Sequence, residues 1–168
     1  MQYNYSKVSS PVGALHILSN NSNEKITALI FDNGWKDYSQ QLKKAKIKLT
    51  EKKDEVIRKT EKQLKEYFAG KRKDFDVALE FSGTEFQTQA WKSLQQIPFG
   101  KTISYGEQAR KMKNPKAVRA VGGANGRNKI CIIVPCHRVI GKDGSLTGFG
   151  GGLKIKEQLL NFEKKVSL

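Results

Sequence analysis

Apolar and polar positions alternate weakly through the first part of the chain. Val12, Ala14, His16 and Leu18 fall on one side of a two-residue period, and residues 25–31 read as a second strand leading into Asn33-Gly34, a tight-turn dipeptide. The period lengthens over residues 51–69, where Val56, Thr60, Leu64, Tyr67 and Phe68 recur at helical spacing and Gly70 supplies a stop. Residues 71–83 are charged and turn-like, which predicts a boundary between a domain at 1–80 and a second at 81–168.

The second domain is more sharply punctuated. Thr84-Glu85-Phe86-Gln87 predicts a capping box that opens a helix with Phe86, Ala90, Trp91, Leu94 and Ile97 inward and Pro98 at its end. Ser104-Tyr105-Gly106-Glu107 predicts another, opening a short helix to about Met112. Asn114-Pro115 then reads as an N-cap followed by proline at the head of a helix reaching about Ala124. Two short helices joined by so brief a turn predict a helix-turn-helix. An apolar strand at 130–134, a glycine-rich loop at 141–152 and a closing helix at 153–164 complete the pattern.

With 168 residues, 38% of them hydrophobic and 28% charged, the chain reads as soluble and globular, with neither disorder nor a membrane span. Its start lacks a charged segment leading into an apolar one, so no signal peptide is expected. Cys131 and Cys136, the two cysteines, have four residues between them; this excludes a disulfide framework and suits a reducing, cytoplasmic setting. Thirty-one Lys and Arg against sixteen Asp and Glu give +15, of which +5 falls in 1–80 and +10 in 81–168. Residues 101–142 hold ten basic side chains and one acid, Glu107. Such a field attracts polyanions, nucleic acid first, although a merely basic surface gives the same count.

Stepping about 100° per residue from Pro115 places Ala117, Val118, Val121 and Ala124 on a core-facing arc, with Lys116, Arg119, Ala120, Gly122 and Gly123 opposite. A major-groove reader presents several polar side chains. This smooth face suits the minor groove instead, with Arg119 long enough to enter the base stack; tight helix packing and a phosphate-binding Arg119 are the plainer alternative.

Cys136 stands between Pro135 and His137. A free thiol, with a pKa of about 8.5, needs a base or positive charge to become a nucleophile, and His137 offers both, directly if the chain bends at Pro135 or through a water. An inert buried thiol beside a surface histidine is the alternative. Cys131, within Ile130-Cys131-Ile132-Ile133, is assigned to the core, and His16 to a structural role. No zinc-ligand spacing is present, so no metal is expected. In the last helix Glu163 falls within the apolar arc of Ile155, Leu159 and Phe162. A histidine is a natural partner for that carboxylate, and Lys156, in the same arc, is a competing one.

Pro135-Cys136-His137-Arg138-Val139, preceded by Arg119-Ala120-Val121-Gly122-Gly123-Ala124 and followed by Gly151-Gly152-Leu153, closely resembles the methylated-DNA–protein-cysteine methyltransferases (O6-alkylguanine-DNA alkyltransferases). The resemblance runs over about residues 84–163, with Phe86-Gln87, Trp91, Ile103-Ser104-Tyr105, Asn114-Pro115, Asn128 and Glu163 at the family's spacing. Ser10-Pro11-Val12-Gly13 and Tyr67-Phe68-Ala69-Gly70 resemble its N-terminal domain more weakly. It implies an α+β fold: a small N-terminal antiparallel sheet-plus-helix domain of RNase H-like type, then a winged-helix-like domain carrying the helix-turn-helix.

The resemblance also implies a DNA-repair methyltransferase that acts once per molecule, without a cofactor, as a cytoplasmic monomer associated with the nucleoid during repair. It would bind double-stranded DNA through the minor groove and flip the damaged nucleotide. The alkyl group of O6-alkylguanine or O4-alkylthymine would then pass to Cys136 as a permanent thioether. His137, linked through water to Cys136 and oriented by Glu163, takes the thiol proton. Tyr105 donates to the departing base and crowds the 3′ phosphate, while Asn128 ties the helix-turn-helix to the active-site strand. Arg119 fills the gap in the stack, on a DNA-facing surface with Ala120, Gly122 and Gly123. Gln87, Gly106, Asn114 and Lys142 match backbone-contact positions. Val139 and Phe149 line the alkyl pocket, and the Cys136 and Val139 carbonyls read the exocyclic amine.

Three departures from the family pattern stand out. Gly150 occupies a place where some members carry a serine that hydrogen-bonds O6, leaving only its N–H. Asn125 replaces a larger apolar residue, and the absence of cysteine from 1–80 removes the structural zinc site of certain relatives. Among competing readings, a binding-only relative would lack the acceptor cysteine. A transcriptional regulator would need more base-reading side chains than Lys116 and Arg119, and a thiol hydrolase would need an oxyanion site, which is not legible.

Overall fold

The computed structural model describes residues 1–22 and 24–168, which fall into two units, Met1–Phe81 and Ser82–Leu168. In the first, strands β1 (Gln2–Val8), β2 (Leu15–Asn20) and β3 (Lys25–Phe31) form an antiparallel meander, and β4 (Lys48–Glu51) joins β1 in parallel, giving the order β3-β2-β1-β4. Helix α1 (Asp32–Lys44) carries the chain from one sheet edge to the other, and only such a crossover delivers a parallel strand. Asn33-Gly34, expected as a tight turn, therefore lies in the first turn of α1. The weak alternation has a simple cause: Leu15 through Ser19 of the central strand β2 are all buried, on both faces.

Helix α2 (Glu55–Phe68) starts later than its apolar period suggests because Asp54 caps it. One Asp54 oxygen accepts the Ile57 N–H at 2.9 Å; the other accepts the Asn4 amide at 2.8 Å and the Ser19 hydroxyl, pinning the helix start to β1 and β2. Gly70, at φ 74°, ends the helix as expected. His16 has both ring nitrogens engaged, by the Tyr5 hydroxyl at 2.9 Å and Asp32 at 2.7 Å, and stacks on Trp35, a structural setting.

The second unit comprises α3 (Glu85–Leu94), β5 (Ile103–Ser104), α4 (Tyr105–Lys111), α5 (Val118–Gly126), β6 (Val139–Ile140) and α6 (Leu153–Ser167). Both capping boxes form, Thr84 with Gln87 and Ser104 with Glu107. Helix α5 packs on α3 and α4, and the Trp91 indole N–H donates to the Ala124 carbonyl at 2.8 Å. It begins at Val118, not at Asn114-Pro115. Lys113 at φ 60° and the Asn114 N–H, bonded back to the Ala109 carbonyl, close the end of α4, so the dipeptide finishes one helix and turns before the next. The shifted start leaves Val118 exposed and puts Asn125 in the core. There Asn125 and Gln108 exchange two amide hydrogen bonds, at 2.7 and 3.1 Å, which accounts for a polar residue at that position. Among the described residues no helix is long and apolar enough to cross a membrane.

Candidate active site

Residues 130–134 are not the expected strand; they fold into successive tight turns. The Ile133 N–H bonds to the Cys131 carbonyl at 2.7 Å across Ile132, whose φ is 69°, and the Cys136 N–H bonds to the Val134 carbonyl at 2.8 Å across Pro135. Both are three-residue γ-turns, the first of the strained positive-φ kind that a β-branched residue rarely adopts. Cys136–Arg138 follows as a single 3-10 turn, which supplies the bend needed for Cys136 and His137 to serve one site.

Asn128, just past the end of α5, organises this loop. Its carboxamide N–H groups reach the Val134 carbonyl at 2.8 Å and Cys136 Sγ at 3.2 Å, while its oxygen accepts the Ile130 N–H at 2.9 Å. Cys136 is 8% exposed. The neighbouring Cys131 thiol, then the Asn128 amide and the Lys156 charge, hold the Cys136 thiol below its ordinary value against the opposite pull of burial.

Behind the cysteine lies a buried charge pair. Glu163 accepts His137 Nε2 at 2.7 Å, Arg138 Nε at 2.8 Å, Arg138 Nη2 at 3.1 Å and the Gly100 N–H at 3.1 Å. Gly100 has a φ of 79°, in the left-handed region that favours glycine, and a Cβ there would also press on the Ser167 side chain. Burial alone pushes Glu163 up, but His137 and Arg138 together hold its carboxyl well below the usual carboxylate range. Burial pushes His137 below its ordinary value even with Glu163 beside it. The imidazole is therefore neutral near pH 7, with its proton on Nε2 facing the carboxylate. Nδ1 keeps a lone pair, buried and without a protein hydrogen-bond partner.

Lys156 does not pair with Glu163, which decides between the two partners expected for that carboxylate. Its ammonium instead lies 2.6 Å from the Val139 carbonyl and 2.8 Å from the Thr147 carbonyl, with the Tyr105 and Phe149 rings about it at 5.9 and 6.0 Å. Burial lowers its pKa. Tyr105 donates to the same Thr147 carbonyl at 3.1 Å. Lys156 thus joins Val139, Tyr105 and Phe149 around one space, and it occupies one side of the Val139 carbonyl expected to read a base. Gly150 is exposed, and a Cβ on it would meet nothing within 4 Å.

Arg119, Ala120 and Gly123 are exposed along α5, and Gly122 lies over the Tyr105 ring. A Cβ on Gly122 or Gly123 would make only ordinary contacts within the protein, so internal packing does not require glycine at either place. A groove of about 520 Å³ runs beside this helix, bounded among others by Tyr105, Gly106, Arg110, Val118 and Lys142. Gln87 is engaged in its capping box and Asn114 in the turn between α4 and α5. Arg110 was not singled out from the sequence, Lys156 only as a rival partner for Glu163, and Arg138 only as part of the Pro-Cys-His-Arg-Val run. Arg138 carried the one available signal, since a buried carboxylate at Glu163 calls for a cation and this arginine adjoins His137.

Residues 3–81 match the family described as 6-O-methylguanine DNA methyltransferase, ribonuclease-like domain, and residues 85–165 match its DNA binding domain. A methylated-DNA–protein-cysteine methyltransferase of Methanosarcina acetivorans is 57% identical over 110 residues, 66% of this chain and 70% of the relative. The constitutive enzyme of that name from Bacillus subtilis is 41% identical over 162 residues, 95% of this chain and 94% of the relative. The crystal structure of Mycobacterium tuberculosis OGT in complex with DNA superposes with a TM-score of 0.82 at 41% identity, covering 99% of this chain and 94% of that one. The chain belongs to the methylated-DNA–protein-cysteine methyltransferase family, and is a DNA-repair methyltransferase with the α+β fold of that family.

Proposed function

We propose that Cys136 is the alkyl acceptor and that the chain repairs O6-alkylguanine and O4-alkylthymine in double-stranded DNA, one lesion per molecule. The observation that carries this reading is the buried lone pair on His137 Nδ1, created by the Glu163 hydrogen bond to Nε2, next to a cysteine held by Asn128. The thiol proton leaves through one bridging water to Nδ1. The sulfur then attacks the alkyl carbon in line; the S–C bond forms as the C–O6 bond breaks, and the released base takes up a proton, relayed by the Tyr105 hydroxyl. Net, the thiol hydrogen ends on the base and the alkyl group on sulfur, with no cofactor.

The target atom is inside the duplex, so the nucleotide must first be rotated out. The exposed, small-residue face of α5 lets the backbone approach the minor groove, and Arg119 is its one long side chain. Gly106 and Lys142, both on the groove beside α5, contact phosphates with Gln87 and Asn114, while Val139, Phe149 and Gly150 surround the extruded base. The reaction needs a reduced thiol and acts as a monomer in the cytoplasm.

Intact-mass spectrometry after incubation with duplex containing O6-methylguanine tests the assignment. One methyl per chain, on Cys136 and absent from Cys131, is expected. Continued turnover, or methyl on Cys131, overturns it.

A further inference from the structure

The loop that presents Cys136 brings a second thiol to it. Both sulfurs border Asn128: Cys136 Sγ takes the Asn128 amide at 3.2 Å, and Cys131 Sγ lies 3.9 Å from the Asn128 carbonyl. Both cysteines are buried and both are free. The γ-turn across Ile132 folds back the segment between the two cysteines, and a β-branched residue is held in the left-handed region there. A straight strand at 130–134 would leave the two thiols apart.

We infer that Cys131 is a positioning residue for the acceptor, its thiol donating a hydrogen bond that holds Cys136 as the thiolate. The inference rests on Cys136 being the acceptor. A thiol is a weak donor to a neutral carbonyl and a better one to an anion, because the bond is then charge-assisted. With Cys136 protonated, the Cys131 S–H rests on the Asn128 carbonyl. Once the Cys136 proton has passed to His137, the S–H turns onto Cys136 Sγ, where the Asn128 amide is already a donor. Cys131 keeps its own proton throughout.

The electrostatics follow the same division. The mutual contact lowers Cys136 and raises Cys131, so when the pair gives up a proton it is Cys136 that loses it. Of the other charged groups around the pair, Lys156 acts on Cys136 and favours its thiolate, while Lys129 acts on Cys131 and only partly offsets the rise. The division also explains why two neighbouring buried thiols yield one acceptor.

The test compares the parent with Cys131→Ala and Cys131→Ser in two assays across pH: iodoacetamide capture of Cys136, and single-turnover methyl transfer from saturating O6-methylguanine duplex. In Cys131→Ala both profiles should move to higher pH, with transfer about tenfold slower at neutrality, the low end for a hydrogen bond to a charged group because a thiol is a weak donor, and the parent rate regained at alkaline pH. Cys131→Ser keeps a donor and should follow the parent. Cys131→Ala profiles that superimpose on the parent, slowing that is uniform at every pH, or a serine variant that tracks alanine would each overturn the inference. Failure of the parent itself to accept methyl would overturn the acceptor assignment instead.

Discussion

Glu163 Oε2 lies 2.7 Å from His137 Nε2, yet the charge of Glu163 is balanced by Arg138, which donates to both carboxylate oxygens at 2.8 and 3.1 Å. The histidine is thereby free to stay neutral while still being oriented. His137 should titrate below its ordinary value of 6.5, and Glu163→Gln should lower it further, because the carboxylate is what favours the charged ring. The chain has two histidines, so ring NMR signals can be assigned and followed with pH. A His137 midpoint above 6.5 would mean an imidazolium–carboxylate pair, with no lone pair left to act as a base.

His137→Ala removes that base without touching the Arg138–Glu163 pair. Alkyl transfer should fall by about 10²–10⁴-fold while duplex affinity changes little. Glu163→Gln should cost more in stability, roughly 3–5 kcal/mol, since Arg138 is left buried with the Ile97 carbonyl and no counter-charge. Single-turnover rates, DNA affinities and urea midpoints separate the two. A His137→Ala rate within a few-fold of the parent would remove the histidine from the mechanism.

Acid should weaken the fold in two stages. His137 is depressed in the folded state, so the unfolded chain binds its proton first and stability falls as pH drops below 6.5. Glu163 is also depressed; its contribution is complete above the ordinary value of 4.5 and is lost progressively below it. Urea titrations from neutral to acid pH should show the upper stage missing in His137→Ala and the lower one diminished in Glu163→Gln. A parent stability that rises as pH falls through 6.5 would contradict the depressed His137, and one that does not fall further below 4.5 would contradict the depressed Glu163.

The reciprocal amide pair in the core makes a separate, purely structural prediction. Asn125→Ala leaves the Gln108 carbonyl oxygen without its 2.7 Å donor and should cost about 1–3 kcal/mol. Replacing both residues with leucine removes donor and acceptor together, so the double variant should be more stable than the summed single Leu substitutions imply. Simple additivity in urea denaturation would show that the two amides do not act as a pair.

What the sequence disclosed depended on whether the physics was local. Capping boxes are settled within four residues, and both Thr84–Gln87 and Ser104–Glu107 form as read. Burial of Glu163 was legible from helical periodicity, but its partner was not, because Lys156 and His137 are equally plausible until the chain is folded. The loop at 130–138 was misread for a different reason. Its run of apolar residues fits a strand, and nothing local announces that Ile132 takes a positive φ. Asn125 looked like a departure only because its compensation, Gln108, lies on another helix. Strands β1 and β4 passed unremarked: β1 carries polar residues that are buried, and β4 has four residues, too few to show a period.

Arg119 bears the sharpest test of how DNA is engaged. It sits on the exposed face of α5 beside Ala120 and is the one long side chain within the helix, with the Arg127 guanidinium beyond it against Gly123 at the C-terminal end. If it props open the stack, its loss matters most where extrusion is hardest. Arg119→Ala should then repair well-stacked duplex slowly even at saturating DNA, yet react normally with free O6-benzylguanine, which needs no extrusion. A phosphate-binding arginine behaves differently: its removal weakens binding to all DNA about equally and reduces the salt slope by roughly one unit, leaving the saturated rate unchanged. Single-turnover rates on duplex and on the free base decide between them. Recovery of the parent rate on saturating duplex would reduce Arg119 to an anchor; a slow duplex rate beside an unchanged free-base rate would assign it to flipping.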